Sequence, residues 1–141
     1  MTDPTPTPAR ALIADDERLM RAQLRARLAE AWPALQIVAE AANGLEAVAL
    51  AQTHRPDIVF LDIRMPGLTG LEAARRIVQL PGPDDASLPE IVFVTAYDEH
   101  ALQAFEQGAV DYVLKPAQAE RLRTTAERLQ RRLAERGTPA E

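Results

Sequence analysis

Acidic side chains follow two of the apolar runs in this sequence, at the point where each run ends. Asp15 and Asp16 come directly after Ala11–Ala14, and Asp62 comes directly after Ile58–Leu61. Three carboxylates held a few ångströms apart repel by roughly 4 kcal/mol per pair at an effective dielectric constant of about 20. We therefore expect a cation at this cluster. A hard divalent ion prefers oxygen ligands, which predicts Mg²⁺, with Mn²⁺ as the alternative, rather than zinc.

Two further polar residues follow apolar runs later in the chain. Thr95 comes directly after Ile91–Val94, and Lys115 comes directly after Tyr112–Leu114. Lys115 is the only lysine in a chain whose other fifteen basic residues are all arginine. An ammonium group is a compact point charge that suits a phosphoryl oxygen, whereas a guanidinium group is a planar fork. The position of Lys115 therefore favours phosphate binding beside the acidic cluster.

Each of these residues also has an ordinary structural role open to it. Asp15 and Asp16 could cap the helix that follows them, since Asp is common at helix N-caps. Thr95 taken alone is typical of a β-strand. The two histidines, His54 and His100, are predicted to lie on helix surfaces without partner spacing, so we expect them to be solvated. The functional interpretation depends on the polar residues occurring together at strand ends.

Five strand-length apolar runs alternate with segments of helical periodicity. Runs that stay apolar are typical of parallel strands buried on both faces. The predicted fold is a doubly wound, flavodoxin-like (βα)5 domain of the α/β class, with a five-stranded parallel sheet. If the strand order is 2-1-3-4-5, the first and third strands are neighbours, and their carboxylates converge at the carboxyl edge of the sheet. The runs are Ala11–Ala14, Gln36–Ala39, Ile58–Leu61, Ile91–Val94 and Tyr112–Leu114.

Length and composition set the broad class. The chain has 141 residues, of which 47% are hydrophobic, enough for one domain with a core. The absence of cysteine excludes disulfides and thiolate metal sites, and a formal net charge of -5 argues against binding nucleic acid over the whole surface. The apolar runs are too short to span a membrane, so we expect a cytoplasmic protein without membrane contact. Residues 1–8 are predicted to be a disordered Thr/Pro leader, residues 9–136 the domain, and residues 137–141 a flexible tail.

Four motifs give the sequence a resemblance to a known family. In order along the chain, LIADDERLM, FLDIRMPGLTG, FVTA and DYVLKP resemble the receiver domain of response regulators in two-component signalling. The stretch DEHALQAFEQGAVDYVLKP is most similar to receivers of the LytTR class of transcriptional regulators, which usually precede a DNA-binding domain. The resemblance implies a signalling switch that takes a phosphoryl group from a sensor histidine kinase. It also implies that the chain is not an enzyme with a separate substrate, and that it assists its own phosphorylation and dephosphorylation.

The resemblance implies a role for each residue of the acidic cluster. Asp62 would be the phosphoacceptor and a metal ligand. Asp16 would bind Mg²⁺ directly, Asp15 largely through water, and the backbone carbonyl of Arg64 would complete the protein ligands. A carboxylate can attack phosphorus in line if the metal and Lys115 neutralise the charge on the oxygens. Most of the catalysis would then consist of positioning the reacting groups.

The same resemblance implies switch residues and hydrolysis gates. Thr95 would hydrogen-bond one phosphoryl oxygen, and Lys115 would pair with another. Tyr112 matches an aromatic switch residue that turns inward when Thr95 is drawn to the phosphoryl group, although simple packing accounts for a half-buried aromatic equally well. Arg64 and Tyr97 flank the site and, being bulky, would slow hydrolysis of the acyl phosphate.

The last predicted helix carries six arginines and three glutamates between Glu120 and Arg136, opposite an apolar stripe. A solvated helix face accounts for this composition. The resemblance offers an alternative, since the face built by the fourth helix, fifth strand and fifth helix often forms a homodimer on activation. We expect contact with DNA only through an output domain outside this chain.

Two other functional classes fit part of the pattern. Aspartate-nucleophile phosphatases also use a carboxylate after a strand together with Mg²⁺. They place a second Asp two residues later, where this chain has Arg64, and they need a cap insertion that this chain lacks. A phosphate-independent interaction module usually loses an acidic or lysine position, and none is missing here.

Overall fold

The computed structural model describes residues 8–80 and 88–137. All but one residue of the leader predicted over residues 1–8 lies outside this described part, as do residues 138–141 of the predicted tail. The last helix includes Gly137, the first residue of that predicted tail.

Strands and helices alternate through the described residues in the predicted βα order. None of the helices described there is both long enough and apolar enough to cross a membrane. The strands are β1 (Arg10–Ala14), β2 (Gln36–Ala41), β3 (Ile58–Leu61), β4 (Glu90–Thr95) and β5 (Asp111–Leu114), and the helices are α1 (Arg18–Ala31), α2 (Gly44–His54), α3 (Gly70–Val78), α4 (Ala101–Glu106) and α5 (Ala119–Gly137).

Side-chain caps fix where two of the helices begin. Asn43 caps α2, because its side-chain oxygen accepts a hydrogen bond from the Glu46 amide at 2.8 Å. Thr69 caps α3 in a capping box with Glu72, in which each side chain bonds to the other residue's backbone amide. Both caps stand directly after the loops that leave the carboxyl edge of the sheet, so they hold that edge in place.

All neighbouring strands pair in parallel, and the sheet order is β2-β1-β3-β4-β5, which confirms the predicted topology. The register pairs Ala14 of β1 with Leu61 of β3, and Thr95 of β4 with Leu114 of β5. Strands β1 and β3 therefore end side by side, and so do β4 and β5. The residues that follow these four strands meet at one edge of the sheet.

Helices cover both faces of the sheet over two separate apolar clusters. Along β1, Leu12 lies in one cluster, whereas Ala11 and Ile13 lie in the other, as the two-residue period of a strand requires. The first cluster includes buried residues of α2, α3 and α4, and the second includes buried residues of α1 and α5. Full burial of one large apolar side chain contributes about 1.5–3 kcal/mol. The two clusters therefore hold the sheet from both sides, as the doubly wound fold predicts.

Two helices turn small residues toward the sheet and leave large apolar residues exposed. In α2 the buried residues are Gly44, Ala47 and Ala51, whereas Leu45 is 58% exposed. In α4 the side chain of Leu102 is likewise exposed. Small residues let a helix approach its neighbours closely, so the size of a side chain, and not hydropathy alone, decides which face is buried.

Some charged residues of α5 form ion pairs with buried residues of the sheet. Arg121 and Arg128 lie 2.8 and 3.2 Å from the Asp111 carboxylate, and Arg132 lies 2.9 Å from Glu90. Asp111 and Glu90 are both buried and belong to the strands β5 and β4. Three of the six arginines predicted to form a solvated or partner-binding face therefore anchor α5 to the sheet.

Candidate functional site

The ends of β1 and β3 place Asp15 and Asp62 next to each other. The Asp62 amide donates a hydrogen bond to the carbonyl of Ala14 at 3.0 Å, which continues the β1–β3 pairing by one residue. One carboxylate oxygen from each of Asp15, Asp16 and Asp62 lies within 4.8 Å of the other two. Asp15 and Asp62 are buried, and Asp16 is exposed. The structure therefore brings together the three carboxylates that the sequence places at strand ends.

Lys115 enters the acidic cluster from the end of β5. Its amide donates to the carbonyl of Thr95 at 2.8 Å, which holds the chain after β5 beside β4. Its Nζ lies 2.5 Å from Oδ2 of Asp15 and 2.8 Å from Oδ2 of Asp62. The peptide bond between Lys115 and Pro116 is cis. One ammonium group thus contacts carboxylates that follow two different strands.

Burial and charge act against each other in this cluster. Burial raises the pKa of Asp15, and its effect exceeds that of the opposing hydrogen bonds from Lys115 and the Glu17 amide. For Lys115, burial alone would lower the pKa, but hydrogen bonds to Asp15 and Asp62 outweigh it, so the pKa of Lys115 is raised. With Lys115 charged, three carboxylates still face one ammonium group. A further cation is therefore electrostatically favoured.

The loop of residues 62–69, between β3 and α3, depends on close backbone contacts. Gly70 lies so near Asp62 that a Cβ on it would be 1.9 Å from the Asp62 carbonyl oxygen. The Ile63 amide donates to Oδ1 of Asp62 at 2.7 Å, which fixes one carboxylate oxygen. Gly67 has a φ of 78°, a conformation that glycine adopts without strain. The backbone of the loop therefore sets the orientation of the Asp62 side chain.

Arg64 and Tyr97, the two residues predicted to slow hydrolysis, are in contact beside the acidic cluster. The Arg64 guanidinium carbon lies 4.0 Å from the centre of the Tyr97 ring, and its Nη2 lies 3.9 Å from Glu99. Both residues line a cleft of about 460 Å³ that also includes Asp16 and Asp62. The contact joins the loop after β3 to the loop after β4 across one side of this cleft.

Tyr97 also connects Thr95 to Tyr112. Thr95 is fully buried at the end of β4, and its Oγ1 accepts a hydrogen bond from the Tyr97 amide at 3.4 Å. The Tyr112 hydroxyl donates to the Tyr97 backbone carbonyl, and the Tyr112 ring centre lies 6.3 Å from that of Phe93. Burial raises the pKa of Tyr112, so its hydroxyl remains a donor. Sequence reasoning missed this connection, because a backbone carbonyl carries no side-chain signal.

The donor set of the cluster suits a hard metal ion. Asp15, Asp16 and Asp62 offer carboxylate oxygens, which are the ligands that Mg²⁺ and Mn²⁺ prefer. Among the described residues, no histidine belongs to this cluster: His54 is the last residue of α2, and His100 directly precedes α4, with its Nε2 3.7 Å from Glu99. The residues present at the cluster therefore fit a divalent cation with oxygen coordination.

Comparison with known proteins places most of the described fold in one family. A family model described as the response regulator receiver domain matches residues 11–127. An uncharacterised response regulatory protein of Vibrio cholerae is 50% identical over 130 residues, which cover 92% of this chain and 48% of that protein. The transcriptional regulatory protein BtsR of Salmonella typhi is 47% identical over 118 residues, which cover 84% of this chain and 46% of that protein. The chain thus spans about half the length of the curated relatives it matches.

Solved structures share this fold. The response regulatory domain of mrkE from Klebsiella pneumoniae has a TM-score of 0.78 at 33% identity, covering 89% of this chain and 98% of that one. The REC domain of AraT from Geobacillus stearothermophilus has a TM-score of 0.79 at 31% identity, covering 93% of this chain and 99% of that one. The family predicted from the four sequence motifs is confirmed. This chain belongs to the response regulator receiver domain family and is the receiver domain of a two-component response regulator.

Proposed function

We propose that Asp62 accepts a phosphoryl group from a sensor histidine kinase, with Mg²⁺ bound by Asp15, Asp16 and Asp62. The observation that carries this proposal is the position of Lys115, whose Nζ lies 2.8 Å from Oδ2 of Asp62 and 2.5 Å from Oδ2 of Asp15. A positive charge therefore already stands beside the carboxylate on which phosphoryl oxygens would arrive. An ammonium group at this distance can pair with a phosphoryl oxygen as a point charge.

The proposed transfer exchanges one bond to phosphorus for another. An Asp62 carboxylate oxygen bonds to phosphorus as the P–N bond to the donor imidazole breaks, and the imidazole leaves with the electron pair and gains a proton from solvent. Lys115 offsets the charge on one phosphoryl oxygen, and the Thr95 hydroxyl donates to another. Asp15, Asp16, Asp62 and the backbone carbonyl of Arg64 would hold Mg²⁺, which would supply further charge neutralisation. The chain itself contributes positioning and electrostatics.

The signal would leave the site through Thr95. Its Oγ1 accepts from the Tyr97 amide, and turning it toward a phosphoryl oxygen would draw Tyr97 along. The Tyr112 hydroxyl is bonded to the Tyr97 carbonyl, so Tyr112 would respond to the same movement. Tyr112 is already buried at 9% exposure. Phosphorylation would then shift the populations of existing conformations and would not create a new one.

The proposed output surface is the face of α4, β5 and α5. On α4, Leu102 and Phe105 are 74% and 48% exposed, and on β5 Leu114 is 48% exposed. Leu102 and Phe105 are three residues apart and therefore share one side of the helix. Large exposed apolar residues favour a contact with a second copy of the chain or with an output domain. Arg121, Arg128 and Arg132 of α5 are less available for this contact, because they form ion pairs within the domain.

Arg64 and Tyr97 are proposed to control how long the acyl phosphate lasts. The cation–π contact between them, supported by Glu99, lies beside the carboxylate that would carry the phosphoryl group. Water must reach phosphorus to hydrolyse the acyl phosphate, so a closed pair of bulky side chains would slow this step.

The wider role of the regulator is proposed from its relatives. BtsR proteins are named transcriptional regulatory proteins, and the chain spans 46% of their length. We propose that residues 9–136 form the receiver, that the output is transcriptional, and that an output domain of the LytTR class makes the contact with DNA. The proposed location is the cytoplasm.

Beryllofluoride with Mg²⁺ tests the proposal, because this complex mimics a phosphoryl group on a carboxylate. We expect NMR shifts at Asp62, Thr95 and Lys115 that need both Mg²⁺ and beryllofluoride. The matched control is Asp62→Asn, which keeps the shape of the side chain and should give no shift that depends on beryllofluoride. Spectra of the unchanged protein that do not respond to the two additions together would refute the proposal.

A further inference from the structure

Gly44, the first residue of α2, lies against the loop of residues 62–69. A Cβ on Gly44 would be 2.5 Å from the backbone oxygen of Leu68 and 2.6 Å from its Cβ. Non-bonded heavy atoms rest about 3.5–4.0 Å apart. Any side chain at position 44 must therefore displace either the loop or the start of α2 by about 1 Å. The Asn43-Gly44 pair indicates only a turn in the sequence, and the proposed phosphoryl chemistry uses neither residue.

Two hydrogen bonds fix the conformation of the turn that starts α2. The Asn43 side chain accepts from the Glu46 amide at 2.8 Å, and Glu46 Oε1 accepts from the Ala42 amide at 2.6 Å. These bonds cap the first turn of α2 and determine where the helix begins. Ala47 and Ala51 of α2 are buried in the core beneath the sheet, so a larger residue at position 44 would move the loop rather than the helix.

The turn that contains Gly44 is also hydrogen-bonded to the backbone of Asp15, which belongs to the acidic cluster. The Asp15 amide donates a hydrogen bond to the carbonyl of Ala41 at 3.0 Å. Residues 41–44 thus contact the backbone of Asp15 at one end and the backbone of Leu68 at the other. Leu68 belongs to the loop that carries both Asp62 and Arg64.

We propose that residues 41–44, the α2 turn, position the metal-binding loop relative to Asp15, and that Gly44 is the positioning residue at the contact. This inference rests on the proposed metal site at Asp15, Asp16 and Asp62. The α2 turn touches neither the metal nor the phosphoryl group. It sets the separation between the carboxylates that follow β1 and the loop that follows β3.

The variant Gly44→Ala separates positioning from helix stability. Alanine is favoured over glycine within a helix by about 1 kcal/mol, so the helix alone would gain from the change. We expect instead that the dissociation constant for Mg²⁺ rises by about tenfold, as is typical when the supports of metal ligands are altered. The amide resonances of residues 62–69 should also shift in the metal-free protein. Both are read by NMR during a Mg²⁺ titration of the full chain.

Gly108→Ala is the matched control. Gly108 has a φ of 90°, so alanine strains the backbone there, but a Cβ would meet no atom within 4 Å. We expect this variant to lower the melting temperature and to leave the dissociation constant for Mg²⁺ unchanged. If Gly44→Ala does not fold, Asn43→Ala loosens the same turn and should weaken Mg²⁺ binding several-fold.

The outcomes separate this inference from the proposed function. If the unchanged protein does not bind Mg²⁺, the proposed function fails. The amide resonances of residues 62–69 in metal-free Gly44→Ala still show whether the α2 turn positions the loop. If the unchanged protein binds Mg²⁺ and Gly44→Ala binds it equally well, with the resonances of residues 62–69 unmoved, the α2 turn does not position the loop.

Discussion

The Tyr112 hydroxyl is hydrogen-bonded to the backbone carbonyl of Tyr97, across the segment that joins β4 to α4. The amide of the same residue, Tyr97, is bonded to Thr95 Oγ1 at 3.4 Å. A movement of Thr95 toward Asp62 therefore acts on the residue that holds Tyr112. The backbone of Tyr97 is the point at which the proposed phosphoryl site and the aromatic residue meet.

Tyr112→Phe removes the donor of this hydrogen bond and leaves the ring. We expect the free energy of unfolding to fall by about 1 kcal/mol, the usual contribution of one hydrogen bond. Beryllofluoride should still bind at Asp62, but the NMR shifts that it causes in α4 should shrink. Tyr97→Phe is the matched control, because it removes a hydroxyl while keeping the carbonyl, and it should preserve the response of α4. An undiminished response in Tyr112→Phe would show that the signal takes another route.

Arg64→Ala removes the contact over the Tyr97 ring. An exposed cation–π contact contributes about 0.5–1 kcal/mol, so we expect the acyl phosphate to hydrolyse about two to five times faster. The control is Arg76→Ala, an exposed arginine in the last turn of α3. Dephosphorylation is followed by loss of the phosphorylated species in intact-mass spectra. The gate model is wrong if the double variant Arg64→Ala with Tyr97→Ala hydrolyses at the original rate.

Lys115→Met removes the ammonium group and keeps much of the side-chain volume. Lys115 Nζ lies 2.5 and 2.8 Å from two carboxylates of the cluster, where it would compete with the proposed metal cation. We expect Mg²⁺ to bind about tenfold more tightly in this variant, because one nearby positive charge is lost. Phosphorylation by acetyl phosphate should become slower at the same time, since a phosphoryl oxygen loses its partner. Isothermal titration with Mg²⁺ checks the first effect, and weaker binding would contradict the proposed arrangement.

Asp111→Asn tests how α5 is held on the sheet. The buried Asp111 carboxylate accepts hydrogen bonds from Arg121 and from the Thr125 hydroxyl at 2.7–2.9 Å. Hydrogen bonds to a charged group contribute about 1.5–3 kcal/mol, so we expect a loss of about 2 kcal/mol in the free energy of unfolding. Glu30→Gln, which removes an exposed ion pair with Arg27 at 3.6 Å, should cost far less. Equal losses in urea denaturation would contradict the anchoring role.

The Asp111 carboxylate also predicts how the free energy of unfolding changes with pH. Burial alone would raise the pKa of Asp111, but hydrogen bonds from Arg121, Thr125 and the Tyr112 amide outweigh it, so the pKa is lowered from 3.8. A lowered pKa in the folded state stabilises the fold above the ordinary value of 3.8. This stabilisation is lost as the pH falls through the lower pKa of the folded state. Below pH 3.8, denaturation curves should show that the free energy of unfolding falls more steeply with decreasing pH in the unchanged protein than in Asp111→Asn.

The parallel sheet follows from features that a sequence displays directly, whereas the order 2-1-3-4-5 is one of several orders open to a doubly wound sheet. Continuous apolar runs predict buried parallel strands, and the residues directly after them, such as Asp15 and Asp62, are placed by the sheet alone. The position of Lys115 is predictable for the same reason. These predictions need the alternation of strands and helices together with the strand order 2-1-3-4-5.

Further features depend on tertiary contacts that a single sequence does not display. The contact between Gly44 and Leu68 joins two backbones, and glycine is common at turns whether or not a second backbone lies against it. The pairing of Arg121 with Asp111 links α5 to β5, although a run of arginines on a helix usually indicates a solvated surface. Leu45 looks like a core residue of α2, but the smaller Gly44 and Ala47 face the interior. Side-chain size and backbone contacts therefore set the details that hydropathy leaves open.

The most direct test of the account is intact-mass spectrometry of the chain after incubation with acetyl phosphate. We predict a single added phosphoryl group that requires Mg²⁺, disappears when the metal is chelated beforehand, and is absent from Asp62→Asn. A phosphoryl adduct of equal amount in Asp62→Asn, or no adduct in the unchanged protein with Mg²⁺ present, would contradict the assignment of Asp62 as the phosphoacceptor.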